Sequence, residues 1–421
     1  MTADLDLQRN HKLMMRFFLG LALVLVAIAL FISTPGELSD GLVRINTDPR
    51  NLFYDFMAVG GMGATFVNVA LILLFDLSII HLSRATITGP ALAALLTTAG
   101  FAFFTTNLFT TVPIVTGVFL YSRIEKIPMR TLLLQAFMGT AIGPIISFIA
   151  YGVGLQLVMS LPLAFLVGLL IGIVIPPLSS SFLRFHHGYN IYNIGFTAGI
   201  IGLIAVAVLR MYGIEVEPVG IIDTEHRLQL IWLVSAIFVS LIVFGLLLNK
   251  GSLRDYPKLL GNSGRLISDF VVLYGSGLSL INMGVMGFLA LAFVIILRGP
   301  VNGPIVGALL TLAAFGAMGK HPRNSLPVIV GATIASYFHE EWGTTEAIVP
   351  ILFGTTLAPI AGRFGLLAGI IAGYLHIALV GHVLPLHGGL NLYNSGFSGG
   401  FVAAVMVPLI EAGRNVIERR K

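Results

Sequence analysis

The sequence alternates between long apolar runs and short breaks that carry charge, glycine or proline. Fourteen apolar runs follow one another along the chain, and most are longer than 18 residues. About 20 apolar residues in a helix cross the roughly 30 Å hydrocarbon core of a bilayer, so each run predicts a membrane-spanning helix. The predicted spans are residues 13–33, 52–80, 85–106, 108–122, 131–153, 157–182, 189–211, 228–249, 266–297, 300–318, 325–338, 344–360, 364–385 and 390–411.

The composition agrees with this pattern. Of the 421 residues 57% are hydrophobic and 10% are charged, and the mean hydropathy is +0.95. Soluble domains have about 25% charged residues, which excludes a cytosolic enzyme and a disordered chain. The predicted fold class is therefore an all-α polytopic membrane protein whose surroundings are the lipid bilayer. The net charge of +5 is not gathered in a basic run of the kind that binds nucleic acid, so no nucleic-acid partner is expected.

The charged breaks predict an orientation. With the N-terminus inside, 19 of the 24 Lys and Arg residues fall on the cytoplasmic side, Lys320 and Arg323 among them. Five fall outside, and so do the acidic loops 215–225 and 340–346. This split follows the positive-inside rule and predicts a bacterial inner-membrane protein with both termini in the cytoplasm.

Two of the predicted spans are short. Residues 108–122 and 325–338 make runs of about 15 residues, so each is either a thin crossing or the return arm of a re-entrant hairpin. Lys320 and Arg323 would be costly at a hairpin tip in the middle of the membrane, which favours full crossings.

The two halves of the chain repeat one another. A shift of 214 residues superimposes Asp55 on Asp269, Asn68 on Asn282 and Arg84 on Arg298, and the same register holds over more than sixty positions. The predicted repeats are residues 1–213 and 214–421, with about seven segments each. Because seven is odd, the second repeat enters the membrane from the opposite side. Inverted repeats of this kind place solute sites near the midplane.

The first repeated motif interrupts long apolar runs with two glycines. It predicts a broken helix whose ends face a solute, with an asparagine as donor and acceptor and an aspartate as a coupling or gating group. The alternatives are close helix packing for the glycines and asparagines, and a cap or salt bridge for the aspartates. The residues are Asp55, Gly61, Gly63 and Asn68, and then Asp269, Gly275, Gly277 and Asn282.

The second motif places Gly-Pro after an arginine. Proline suits the first turn of a helix, so the motif predicts a helix start with free N–H groups that attract anions and polar oxygens, and an arginine with a coupling or gating role. An ordinary surface turn is the alternative. The residues are Arg84, Thr88 and Gly89, and then Arg298, Asn302 and Gly303.

The third motif is the longest polar stretch of each half and opens its last span. It predicts a polar constriction of amide and phenol groups, beside a histidine that exchanges protons. A capped helix start is the alternative, and a metal site is not expected, because no carboxylate or thiolate stands at metal-ligand spacing. The residues are His186, Asn190, Tyr192 and Asn193, and then His387, Asn391, Tyr393 and Asn394.

The turns at 192–196 and 393–397 resemble the Tyr/Asn/Gly turns of urea transporters, and the Gly-Pro helix starts are similar to the Asn-Pro pore-helix starts of that family. The sequence lacks that family's Leu-Pro-x-x-Thr-x-Pro-Phe run. As a whole, the chain resembles a bacterial multi-spanning membrane family with a domain of unknown function. That resemblance implies no substrate.

Together these features predict a transporter or channel for a small polar or anionic solute or an ion, without a cofactor. No P-loop is present, so the chain is not expected to drive transport by ATP hydrolysis itself. A passive urea-channel-like pore, an ion-coupled carrier, an intramembrane enzyme and a scaffold stay open, and so does assembly into a homo-oligomer.

Overall fold

The computed structural model describes residues 2–47, 54–217, 220–338, 342–392 and 394–419, with the side chains from residue 9 onward. Short 3₁₀ turns join α7 to α8 and α17 to α18. The helices, in chain order, are α1 (Thr2–Ile32), α2 (Pro35–Thr47), α3 (Phe56–Gly60), α4 (Met62–Leu82), α5 (Gly89–Phe101), α6 (Leu108–Ile124), α7 (Leu133–Met138), α8 (Gly143–Tyr151), α9 (Leu157–Phe185), α10 (Asn193–Met211), α11 (Arg227–Leu248), α12 (Tyr256–Leu260), α13 (Phe270–Tyr274), α14 (Ser276–Ile296), α15 (Gly303–Ala314), α16 (Pro322–Ser336), α17 (Thr345–Gly354), α18 (Ala358–Phe364), α19 (Leu366–Val380), α20 (Leu384–His387) and α21 (Asn394–Arg419).

Every predicted span coincides with one or two of these helices. Nine helical stretches in the described part of the chain are long and apolar enough to cross a membrane, and four further apolar helices are shorter. The protein is an all-α polytopic membrane protein, as the apolar pattern predicts.

The helix bundle has two ends that differ in charge. At one end the Asp55 carboxylate accepts hydrogen bonds from the N–H groups of Asp223 (3.2 Å) and Gly303 (2.8 Å), and Asn302 donates to Thr345 Oγ1 (2.7 Å). We call this the acidic end, and the described parts of both acidic loops lie there.

The opposite end of the bundle is the basic end, and several helices begin there. Here the N–H of Ile87 donates to His11 Nδ1 (3.2 Å), and Arg265 Nε donates to the carbonyl of His187 (2.7 Å). The side chain of Arg414 lies 4.9 Å from the Phe364 ring centroid, so the last helix finishes at the same end as the first helix begins.

Two short helices, α5 and α15, form the centre of the bundle. Every residue of α15 and every residue of α5 except Pro90 is buried. A Cβ built on Gly100 would lie 3.1 Å from Gly307 Cα, which shows that the two backbones touch. Gly303 at the start of α15 lies beside the Phe103 carbonyl that follows α5, so the two helices are antiparallel.

Elements of the two halves match at the predicted shift of 214 residues. The bounds of α3 and α4 become those of α13 and α14 without adjustment. Asn68 Nδ2 donates to the carbonyls of Ala102 (2.8 Å) and Thr106 (2.9 Å), and Asn282 Nδ2 makes the same pair of contacts in the second half.

The two short predicted spans run from one end of the bundle to the other. Helix α16 begins at the basic end, where His321 Nε2 bonds to the Asn262 carbonyl (2.8 Å), and Tyr337 at its far end contacts Trp342. Helix α6 begins beside Asn46 at the acidic end (2.6 Å). This course through the bundle supports thin crossings over re-entrant arms.

Candidate functional site

The third sequence motif lies where α10 and α21 cross. A Cβ on Gly396 would lie 3.0 Å from Gly195 Cα, and the rings of Phe196 and Phe397 stack with centroids 5.7 Å apart. From this crossing α10 extends toward Arg210 at the acidic end, and α21 extends toward the basic end. At 1.5 Å per residue, Arg210 lies about 22 Å from the crossing along α10, and Arg414 lies about 27 Å from it along α21. The starts of both helices therefore meet near mid-depth in the bundle.

Hydrogen bonds between the halves fix the turn that precedes α10. Asn190 Nδ2 donates to the Gly396 carbonyl (2.8 Å), and Thr356 Oγ1 donates to Asn190 Oδ1. The backbone N–H of Tyr192 donates in turn to Thr356 Oγ1 (2.9 Å). Asn190 thus links the two repeats through one N–H and the oxygen of its amide.

Each histidine of the motif bonds to the asparagine seven residues later. His186 Nε2 donates to Asn193 Oδ1 (2.9 Å), and His387 Nδ1 to Asn394 Oδ1 (2.7 Å). Both histidines are buried. The other asparagine of the motif in the second half is Asn391, and its Nδ2 lies 3.4 Å from His387 Nδ1. This geometry orients the asparagines that open α10 and α21.

A cavity of about 270 Å³ leads from the basic end to the start of α10. Its mouth includes Ile267, which is 76% exposed, and its floor includes the buried rings of Tyr192 and Phe315, with centroids 4.7 Å apart. Tyr192 makes no side-chain cap for α10, so the first turn of that helix presents N–H groups with partial positive charge. The polar residues of the lining are Thr131, Gln135, Ser179, Ser180, Tyr192 and Asn193.

Lys320 lies directly behind the floor of this cavity. Its Nζ donates to Tyr192 Oη (2.6 Å) and to Thr355 Oγ1 (2.7 Å), and it lies 4.2 Å from the Tyr192 ring centroid. The side chain is fully buried, although the topology prediction placed it at the cytoplasmic surface. In the described part of the chain no carboxylate is within ion-pair distance of it. A charged ammonium group is costly at a buried site unless it is paired, so an anion bound near Tyr192 would favour the charged form of Lys320.

The Gly-Pro helix starts lie away from mid-depth, contrary to the predicted midplane site. The Gly89 N–H at the start of α5 donates to Asp269 Oδ1 (2.9 Å), and the Gly303 N–H of α15 donates to Asp55 Oδ2. Each aspartate thus caps a helix of the other half. The positive helix ends are already neutralised by protein carboxylates, because α5 and α15 pack antiparallel and bring each start to the opposite repeat.

The glycine breaks also lie near the ends of the bundle. The backbone turns at Gly61 (φ 81°) and Gly275 (φ 87°), and the 21-residue helix that follows each is about 31 Å long, enough to cross the membrane unbroken. The breaks therefore fall at the membrane edge and not at the midplane. Gly63 packs against Ser33, and Gly277 against Asn249.

Comparison with known proteins identifies the family. The family described as "Protein of unknown function (DUF1576)" matches residues 34–211 and 248–412, which is most of the chain. The chain belongs to this family. No curated protein and no solved structure matches it, so the resemblance to urea transporters stays a prediction.

Several other predicted site residues of this DUF1576 protein serve local structure. Asn68 and Asn282 hold the carbonyls after α5 and α15, as described above. Asn302 caps α15 through a bond from the Ile305 N–H (3.1 Å), whereas the Thr88 side chain makes no such bond. Arg84 and Arg298 are exposed and both have φ 54°, at equivalent helix ends. Tyr393 lies outside the described residues.

Sequence reasoning missed Lys320, Gln135, Thr355 and Thr356 in the DUF1576 chain. One signal was present for Lys320, because the 214-residue shift pairs it with Thr106, at the edge of a predicted span. Gln135 carries a buried Oε1 without a hydrogen-bond partner among the described groups, at the lining of the cavity. Within the described residues no group of His, Asp and Glu side chains is arranged to hold a metal ion.

Proposed function

We propose that this protein is a transporter or channel for a small polar or anionic solute. The observation that carries the proposal is the cavity that reaches from the basic end to the uncapped start of α10 at mid-depth. No carboxylate lines it, whereas a helix N-terminus opens into it and the Lys320 side chain lies behind its floor. Pockets for drug-sized ligands measure roughly 300–1,000 Å³, so a cavity of about 270 Å³ suits a smaller solute.

We further propose that residues 1–213 and 214–421 are inverted repeats around this path. The antiparallel pair α5 and α15, the exchanged aspartate caps and the crossing at Gly195 and Gly396 are the contacts that a two-fold rotation between the halves would produce, and they support this proposal. Such repeats are typical of transporters with a site at the repeat interface. An enzyme active site does not require its polar groups to occur in symmetric pairs, so the pairing favours a transporter over an enzyme.

A gated carrier fits better than an open pore. The rings of Tyr192 and Phe315 close the floor of the cavity, and each is only 1% exposed. A path through the protein therefore requires these rings to move, which is a gating step. A passive urea-channel-like pore is the second candidate, favoured by the amide-rich turns at 190–193 and 391–394.

The proposed setting is the bacterial inner membrane, with both termini in the cytoplasm. The positive-inside distribution supports it, since the basic end gathers Arg265, Arg363 and Arg414 while the acidic end gathers Glu215, Asp223 and Glu225. The cavity then opens toward the cytoplasm.

The test combines binding with flux. Purified protein is screened by thermal shift against urea, glycerol, acetate, nitrate and phosphate, and each stabilising solute is then measured in proteoliposomes. We expect saturable flux of at least one of them. Gln135→Leu should reduce the flux of an anionic solute about tenfold or more, because a hydrogen bond to a charged group contributes about 1.5–3 kcal/mol. The exposed Gln229→Leu is the matched control. Flux that Gln135→Leu leaves unchanged would place the path elsewhere.

A further inference from the structure

A second cavity, of about 560 Å³, opens at the basic end between α16, α18, α19 and α21. Arg323, Arg363 and Arg414 line it, and we call it the arginine pocket. Asn262 and Asn324 add amide groups to the lining. It shares no lining residue with the cavity that leads to Tyr192. A ligand in this pocket therefore occupies a different place from the proposed transported solute.

No carboxylate among the described residues balances the charges in the arginine pocket. No Asp or Glu lines it, and none of the three arginines forms an ion pair within the described residues. The nearby Lys258 is different, because it pairs with Asp255 (2.7 Å) and this hydrogen bond lowers the pKa of Asp255. A guanidinium group binds phosphate through paired N–H bonds, so three arginines around one cavity suit a phosphate group.

The rim of the arginine pocket is apolar on the side of the membrane. Leu366, which lines the pocket, is 67% exposed, and its neighbour Leu367 is 69% exposed. Leu326 on α16, one turn after Arg323, is 46% exposed. A ligand that covers both the arginines and the leucines has an anionic head and apolar chains.

We propose that the arginine pocket binds an anionic phospholipid, with its phosphate among the three arginines and its acyl chains along Leu326, Leu366 and Leu367. Basic pockets between membrane helices at the cytoplasmic side bind lipid headgroups in this way. A soluble phosphate would use the same arginines but would gain nothing from the leucines.

The test measures lipid binding to the full chain in detergent by native mass spectrometry, with thermal shift as a second readout. The lipids are phosphatidylglycerol and phosphatidylcholine with the same acyl chains, and inorganic phosphate is the soluble probe. We expect phosphatidylglycerol to bind and to raise the unfolding temperature. The triple variant R323Q/R363Q/R414Q should bind it about a hundredfold more weakly, since each surface arginine contributes about fivefold.

A variant with the same loss of charge elsewhere separates the pocket from general surface charge. R9Q/K12Q/R254Q removes three exposed basic residues from the chain and should bind phosphatidylglycerol like the wild type. If the arginine triple variant fails to fold, the single variant R363Q, about fivefold weaker, replaces it. The proposal is overturned if phosphatidylcholine binds equally well, if inorganic phosphate alone gives the full thermal shift, or if both triple variants weaken binding equally.

Discussion

Lys320 is a buried basic residue that polar and aromatic groups surround, and no carboxylate in the described part of the chain lies within ion-pair distance of it. Its Nζ contacts Tyr192 and Thr355, and the Phe315 ring centroid lies 5.5 Å away. Thr106 occupies the equivalent position in the first half, so the second repeat has a basic group where the first has a hydroxyl. The protonated form of this lysine would stabilise an anion in the proposed path.

We expect Lys320→Met to lower the flux of an anionic solute about tenfold or more while the unfolding temperature stays the same or rises. A buried charge costs desolvation free energy that an apolar side chain of similar length does not. An anion near Tyr192 also loses its attraction to the protonated lysine behind that ring, which is about 2 kcal/mol at about 8 Å and an effective dielectric constant of about 20. Proteoliposome flux and thermal unfolding in detergent measure the two effects. Lys12→Met, at an exposed site, is the control, and unchanged flux in Lys320→Met would remove the lysine from the path.

At the scale of the elements, α5 and α15 are each capped by an aspartate from the other half of the chain. Asp55 accepts bonds from the N–H groups of Met57, Asp223 and Gly303, whereas Asp269 accepts from Gly89 and Val272. Asp55 is fully buried and Asp269 is partly exposed. These caps give both aspartates a structural role, and their coupling or gating role stays a prediction.

We therefore expect Asp55→Ala to lower the free energy of unfolding by about 2 kcal/mol or more and Asp269→Ala by about 1 kcal/mol. Flux per folded molecule should not change, because neither side chain lines the cavity. Denaturant unfolding in detergent checks the order of the two losses. A coupling role would instead abolish the pH or sodium dependence of transport in these variants.

The contact between α5 and α15 requires glycine at its centre. We expect Gly100→Val to lower the free energy of unfolding by about 1–3 kcal/mol, because the new side chain meets the backbone of Gly307 and Leu310 Cβ at 3.1 Å. Gly20→Val on α1, where nothing lies within 4 Å, should change stability by less than about 0.5 kcal/mol. Equal losses in the two variants would contradict the close approach.

The whole molecule is organised around the antiparallel pair at its centre and the crossing of α10 and α21. Both acidic loops lie at one end, and both described chain ends lie at the other. An odd number of crossings in each half is required for this arrangement.

We expect single cysteines at Glu225 and Glu346 to react with an impermeant maleimide from outside the cell. Cysteines at Ser252 and Gly413 should react only in inverted vesicles. The chain has no native cysteine, so each label reports one site. The unlabelled parent chain is the control, and labelling of Glu225 and Glu346 from opposite faces would contradict the inverted repeats.

The sequence predicted the helices well because each one is a local feature. A run of apolar residues becomes a helix in a membrane whatever it packs against, since the backbone must satisfy its own hydrogen bonds there. The breaks at Gly61 and Gly275 and the matched halves followed from local glycines and a constant shift. The sequence did not predict where in an apolar run the helix break lies. The apolar run around Gly61 is longer than the helix that crosses the membrane, so its pattern leaves the position of the break open.

The sequence by itself determined the fold class, the family and the repetition, because hydropathy and a fixed shift are properties of the order of residues. Only the tertiary structure decided which polar groups are free. It used Asp55, Asp269, Asn68 and Asn282 in contacts between elements, and it buried Lys320 behind Tyr192. The physical reason is that a helix end or an amide is satisfied by whatever group packs against it, and packing partners lie far apart in the chain.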